Sequence, residues 1–334
     1  MKRIVFLSVF LGVVLVTFGQ TERPVLDITL ANYDYPYDVH YFEFNSQQQD
    51  VKMAYMDIHP EHPAGKTVVL LHGKNFNGAY WKTTIQALLK EGYRVVVPDQ
   101  VGFGKSSKPA GYQFTFQQLA QNTKAVLDDL NIDKIFLLGH SMGGMLATRF
   151  ALMYPETVEK LILENPIGLE DWKLVAPYMS IDENYRKELE VTYETTKKYQ
   201  LGFYYDNQWK PAYDEWVYLL TGWTKHPDYP RVAMNNAQTA DMIFTQPVLY
   251  EFPDIRVPTL LIIGTRDRTA IGKDRVKDES VRESMGQYQI LGKEAQKKIP
   301  GSQLVELDNV GHLPHIEAFD RFIKPFIHFL NTNE

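Results

Sequence analysis

A serine hydroxyl attacks a carbonyl usefully only when a base takes its proton, an acid holds that base, and donors receive the developing negative charge. Three segments of this 334-residue chain carry residue types suited to those tasks. Leu137-Leu138-Gly139-His140-Ser141-Met142-Gly143-Gly144 joins an apolar strand-like run to an apolar helix-like one. A serine there projects from a tight strand-to-helix turn, and Gly139 and Gly143 remove side chains that would collide across it. The base candidate is His312, in Asn309-Val310-Gly311-His312-Leu313-Pro314, between a strand-like and a helix-like segment. Gly311 favours a turn that presents it; His315 is the rival, otherwise read as a surface or helix-start residue. The acid candidate is Asp267, in Gly264-Thr265-Arg266-Asp267 directly after an apolar run. Glu164 is the alternative acid, otherwise a hinge hydrogen-bonding residue, and Arg266 and Arg268 read as solvating charges.

Two backbone N–H groups suit an oxyanion hole. Met142 N–H opens the helix after the serine, where the positive end of the helix dipole also points. Lys74 N–H lies in Leu71-His72-Gly73-Lys74-Asn75-Phe76-Asn77-Gly78, after another apolar run. The Lys74 side chain is expected to face solvent, and His72 to buttress the loop. No paired histidine spacing with an intervening Glu points to a metal site. Gly102-Phe103-Gly104-Lys105-Ser106 lacks the first glycine of a phosphate loop, and the chemistry calls for no cofactor.

The elements that must position these residues alternate along the chain. Val51 to Ile58 has the period of a half-exposed strand. Thr67 to Leu71, Tyr93 to Val97, Lys134 to Leu138, Val158 to Leu163 and Thr259 to Ile263 are short runs of the kind buried on both faces of a parallel sheet. Gln303 to Leu307 adds another strand. Thr115 to Leu130, Met142 to Tyr154 and Ala318 to Asn331 read as helices, so the class is α/β with helices on both faces. One interruption, from about Asn165 to Phe252, holds ten of the 20 tyrosines and four of the five tryptophans. It is too long for a simple loop, and Glu183 to Leu201 within it reads as helical.

Composition sets outer limits. With 44% apolar and 23% charged residues the chain is an ordinary globular one, and with no cysteine it has neither disulfides nor thiol chemistry. Lys2 and Arg3, the apolar run Ile4 to Val16 and small residues before a cut after Gly19 predict a cleaved signal peptide over residues 1–19. The alternative, an N-terminal membrane anchor, would use a longer run of about 20 apolar residues. Cleavage leaves 33 basic side chains (35 less Lys2 and Arg3) against 41 acidic ones, a net of −8. That balance disfavours nucleic acid as a partner. An exported protein, periplasmic or secreted, without stable membrane insertion and acting on a small molecule, is the expectation; oligomeric state is left open.

From about Tyr41 to Leu330 the chain resembles the α/β-hydrolase superfamily. The resemblance is carried by Gly139-His140-Ser141-Met142-Gly143, by the order Ser141, Asp267, His312, and by Pro98-Asp99-Gln100-Val101-Gly102-Phe103-Gly104-Lys105-Ser106-Ser107-Lys108-Pro109. In the last, Asp99 is implied to hold the turn. Asn165-Pro166-Ile167-Gly168-Leu169-Glu170-Asp171-Trp172 resembles the entry to a lid. The resemblance implies a mostly parallel sheet of about eight strands with a helical lid inserted after strand 6. The core would then span residues 20–165 and 252–334, and the lid 166–251. Serine at position 141 counts against dehalogenase and epoxide hydrolase chemistry, which use aspartate there. Gly73-Lys74-Asn75-Phe76 departs from the Gly-Gly-Pro-Gly loop of proline iminopeptidases. The main expectation is hydrolysis of a carboxylic ester with an apolar or aromatic part. The alternatives are a carbon–carbon bond hydrolase of vinylogous diketones, with Arg186, Arg231 or Lys173 binding a second carboxylate, and a small-ligand-binding protein on the same scaffold.

Overall fold

The computed structural model describes residues 23–332; the expected signal peptide and its cut lie outside the described residues. Eight strands form one sheet: β1 (Val39–Ser46), β2 (Gln49–Ile58), β3 (Thr67–Leu71), β4 (Arg94–Pro98), β5 (Ile135–His140), β6 (Val158–Glu164), β7 (Thr259–Gly264) and β8 (Gln303–Leu307). Their spatial order is β1-β2-β4-β3-β5-β6-β7-β8. β1 and β2 form an antiparallel edge, and β2 runs antiparallel to β4. The remaining pairs are parallel.

Successive residues of the apolar strands go to opposite faces, because side chains alternate along a strand. Leu137, Val69, Leu261 and Ile263 pack into one core layer. Leu138, Val68, Leu70 and Ile262 pack into the other. Each such fully buried Val, Leu or Ile contributes about 1.5–3 kcal/mol of transfer free energy. The helices are α1 (Lys82–Lys90), α2 (Phe116–Asp129), α3 (Met142–Met153), α4 (Ile181–Leu189), α5 (Tyr193–Phe203), α6 (Asp214–Thr221), α7 (Tyr229–Thr245), α8 (Glu279–Ser284), α9 (Tyr288–Lys298), α10 (Pro314–Glu317) and α11 (Phe319–Asn331). α2, α3 and α9 cover the first face through Leu119, Phe150 and Ala295. α1 and α11 cover the second through Ile85, Leu88, Phe322 and Phe326.

The long interruption contains α4 to α7, between β6 and β7. Its first helical stretch, expected as one helix over Glu183 to Leu201, is two. Thr192 ends the continuity by capping α5, accepting from Thr195 N while the Thr195 hydroxyl accepts from Thr192 N. Local capping outcompetes continuation when a side chain offers the backbone the same hydrogen bonds. The stretch before β1 packs on the insertion. Leu26, Ile28 and Leu30 form a small core with Leu219, Trp223, Tyr229 and Val232.

Candidate active site

β5 ends at His140 and α3 begins at Met142, so one residue makes the whole turn. That residue is Ser141, at φ 56° and ψ −120°. A side chain in left-handed backbone costs of order 1–3 kcal/mol and persists only where the surroundings fix it. The surroundings here are crowded backbones. A Cβ on Gly139 would lie 2.0 Å from Gly143 O, and one on Gly143 would lie 2.3 Å from Leu71 O.

The three candidate side chains, 45 and 171 residues apart along the chain, meet at this turn. His312 Nε2 is 3.0 Å from Ser141 Oγ, and His312 Nδ1 is 2.6 Å from Asp267 Oδ2. With Nδ1–H donating to the carboxylate, the Nε2 lone pair is left to accept from the serine hydroxyl. Ser141 is 7% exposed, His312 1% and Asp267 not at all. Burial alone would raise the Asp267 pKa, but the charge and hydrogen bond of His312 and the Thr269 donors outweigh it and hold the carboxyl below its usual range. Asp267 also accepts from Asn165 Nδ2 at 2.9 Å and from Thr269 N at 2.8 Å.

Met142, one of the two residues considered for an oxyanion, directly follows the serine, and the loop of the other, Lys74, packs against it through Gly73. Met142 is the first residue of α3, where a helix N–H has no intrahelical acceptor. Gly73, just before Lys74, packs so closely that a Cβ there would lie 3.1 Å from Ser141 Cβ. His72 buttresses this loop: its Nε2 accepts from Gln100 N at 3.0 Å. Asp99 holds its turn by accepting from Gly78 N and Lys105 N, each at 2.7 Å.

A model of the α/β hydrolase fold matches residues 66–319, most of the chain. The chain belongs to the α/β-hydrolase fold family. A solved structure of a probable hydrolytic enzyme from Pseudomonas aeruginosa superposes with a TM-score of 0.91 at 48% identity, covering 92% of this chain and 99% of that one. Among curated relatives, a 2-hydroxy-6-oxo-6-phenylhexa-2,4-dienoate hydrolase of Comamonas testosteroni is 30% identical over 61% of this chain and 72% of its own length. A hydrolase of the same description from Burkholderia cepacia is 40% identical over 31% of this chain and 38% of its own length. Several other curated relatives are matched over only 32% to 51% of their length.

Several residues around the candidate site went unnoticed in the sequence, and others sit differently from expectation. Asn165, read as the start of the insertion, is a positioning residue: its side chain joins Asp267 to Gly264 N, the latter at 2.8 Å. His140 and Tyr80 connect the loop of His312 to the loop of Gly73. His140 Nε2 meets His312 O at 2.7 Å, His140 Nδ1 meets Tyr80 Oη at 3.1 Å, and Gly73 N donates to Tyr80 Oη at 3.0 Å. Burial and the neighbouring His312 charge push the His140 pKa down to about 3, so it stays neutral. Tyr204, from the end of α5, stacks on the His312 ring at 4.8 Å.

His315 is neither at the surface nor a rival base. It is 3% exposed, packs on Trp81 at 4.3 Å, and pairs through Nδ1 with Glu164 at 2.8 Å. That contact engages Oε1 of Glu164, the alternative acid, while it is Asp267 that meets His312. Arg266 does more than solvate its loop, pairing with Glu317 Oε1 at 2.6 Å and donating to Asn309 O. Lys74 departs most from expectation. Its side chain is only 18% exposed, lines a cavity of about 240 Å³, and approaches Glu188 at 3.4 Å. Trp216, Trp223, Tyr199, Tyr229, Phe76 and Phe103 also line that cavity; Arg186, Arg231 and Lys173 do not.

Proposed function

We propose that this hydrolase cleaves a carboxylic ester of a small, largely aromatic or apolar substrate through an acyl-enzyme. The reading is carried by one observation, the hydrogen-bonded line Ser141–His312–Asp267 behind a strained serine turn. Ser141 Oγ attacks the carbonyl carbon as His312 Nε2 takes its proton. Negative charge moves to the carbonyl oxygen, held by Met142 N–H and Lys74 N–H; one such donor is typically worth about 10² to 10³ in turnover. Asp267 stabilises the imidazolium and fixes its tautomer. The carbon–oxygen bond then breaks, the alcohol leaves with the proton from His312, and a water deprotonated by His312 releases the acid.

The test is hydrolysis of p-nitrophenyl acetate and butyrate by the mature protein beside Ser141→Ala. Loss of the nucleophile is expected to cost on the order of 10⁶ in turnover. A variant that retains most of the wild-type rate would remove Ser141 from the mechanism.

A second reading, cleavage of a carbon–carbon bond in a vinylogous diketone, is favoured by the relatives described as 2-hydroxy-6-oxo-6-phenylhexa-2,4-dienoate hydrolases. It lacks the expected carboxylate-binding cations in the cavity, where Lys74 stands instead. A diketone turned over far faster than any simple ester would establish it. Tight small-ligand binding with negligible turnover of either class would mark a binding protein. We also propose export by cleavage after Gly19; N-terminal sequencing of protein recovered outside the cytoplasm checks it, and an intact Met1 would contradict it.

A further inference from the structure

The cavity that Lys74 lines, one residue on from the Gly73 packed against Ser141, has a polar corner whose chemistry narrows the substrate. Lys74 Nζ and Glu188 Oε1 stand 3.4 Å apart across it, too long for a strong charged hydrogen bond. Both ends are anchored. Lys74 follows Gly73, which packs against Ser141. Glu188 is held by Asn236 Nδ2 at 3.1 Å, and its own carbonyl accepts from Tyr229 Oη at 2.7 Å. Among the described residues Lys74 and Glu188 are the only oppositely charged side chains lining the cavity, and the rings of Trp216, Trp223, Phe76 and Phe103 line it too.

An apolar cavity of about 150 Å³ holds benzene. The 240 Å³ here therefore takes one aromatic ring with a substituent. The substituent must suit a fixed, net-neutral pair. A carboxylate would be attracted by Lys74 and repelled by Glu188; an ammonium would meet the reverse. A hydroxyl is matched on both sides, accepting from the lysine and donating to the carboxylate. Hydrogen bonds to charged groups are stronger than those between neutral ones.

We propose that this cavity selects a neutral hydroxyaryl group, with the phenolic hydroxyl bridging Lys74 and Glu188. The inference rests on the ester-hydrolase reading and names the substrate class for it: esters whose acyl part ends in a hydroxyphenyl ring. Lys74 thereby has two roles, its N–H at the oxyanion and its ammonium at the far end of the substrate.

Two measurements test it. In the first, the wild-type protein is titrated with p-cresol, p-toluate, p-methylbenzylamine and toluene, following fluorescence of the cavity tryptophans. p-Cresol is expected to bind about tenfold or more tightly than the other three. Equal or tighter binding of the acid, the amine or toluene, or no binding of any, would overturn the inference. In the second, kcat/KM is compared for methyl esters of phenylpropanoic, hydroxyphenylpropanoic and carboxyphenylpropanoic acids. The hydroxyphenyl ester is expected to lead in the wild type, and the carboxyphenyl ester in Glu188→Gln, where the repelling charge is gone. Turnover of p-nitrophenyl acetate that depends on Ser141, without any hydroxyaryl preference, would defeat this inference and leave the ester reading standing. Tightest binding of p-cresol with no ester turned over would defeat the ester reading instead.

Discussion

Three histidines crowd the site, and each is given its task by one neighbour. His312 has Asp267, which keeps Nδ1 protonated and Nε2 open. His140 is wedged between His312 O and Tyr80, and burial keeps it uncharged. His315 has Glu164, and both side chains of that pair are buried. Burial pushes the Glu164 pKa from 4.5 to about 7, against the opposing pull of His140 and the His315 N–H. A raised carboxyl means the folded protein holds a proton that the unfolded chain releases. This contribution to stability is full below 4.5 and is lost as pH climbs to about 7. Glu164→Gln keeps an acceptor for His315 and cannot titrate. Relative to wild type it should gain stability across that interval, by up to about 3 kcal/mol above neutral pH. Urea unfolding of both proteins at acidic and alkaline pH measures the difference. Parallel stabilities at the two pH values would show that Glu164 ionises normally.

Among the elements, the turn between β5 and α3 was readable because its requirements are local. Only glycines fit at 139 and 143, and the single residue between strand and helix is Ser141. The β5 run is buried on both faces, and such runs announce themselves in one line of sequence. The insertion was readable only as a length and a richness in aromatic residues. Its four tryptophans divide by position: Trp216 and Trp223 line the cavity, Trp209 stands 5.6 Å from the rings of Tyr205 and Tyr213, and Trp172 is buried beside Glu170. Nothing in the residue type separates these roles, since a tryptophan packs equally well on protein or ligand. The break between α4 and α5 was visible in principle, because Thr192 and Thr195 are spaced as a capping pair. Thr192→Ala should cost about 0.5–2 kcal/mol. It should also loosen Tyr204 over His312, read as a rise in local hydrogen exchange across α5. Unchanged exchange there would show that packing alone holds the helix.

Across the whole molecule, the segment before β1 ties the insertion to the core. Arg23 pairs with Glu215 at 2.8 Å, and Leu26 N donates to Gly222 O at 2.9 Å. At its other end Lys105 Nζ donates to Leu30 O at 2.5 Å and Tyr33 O at 2.7 Å. Tyr35 Oη reaches Asp99 at 2.7 Å. Lys105 belongs to the loop after β4, so one buried ammonium fastens the N-terminal strap to the body. Lys105→Met leaves two carbonyls without that donor, and about 1.5–3 kcal/mol of stability should be lost. A lowered denaturation midpoint with an unchanged urea slope is the expected result, and an unshifted midpoint would show the strap to be held by its apolar contacts alone. The sequence by itself determined what short-range rules control: strands buried on both faces, the glycine-flanked serine turn, and the order Ser141, Asp267, His312. These follow from side-chain size, period and backbone sterics within a dozen residues. Only the tertiary structure decided which groups meet across long separations. It gave Glu164 to His315, Asn165 to Asp267, Tyr204 to His312 and Glu188 to Lys74. Each pairing depends on how the sheet order and the insertion bring distant segments together, and no local pattern encodes that.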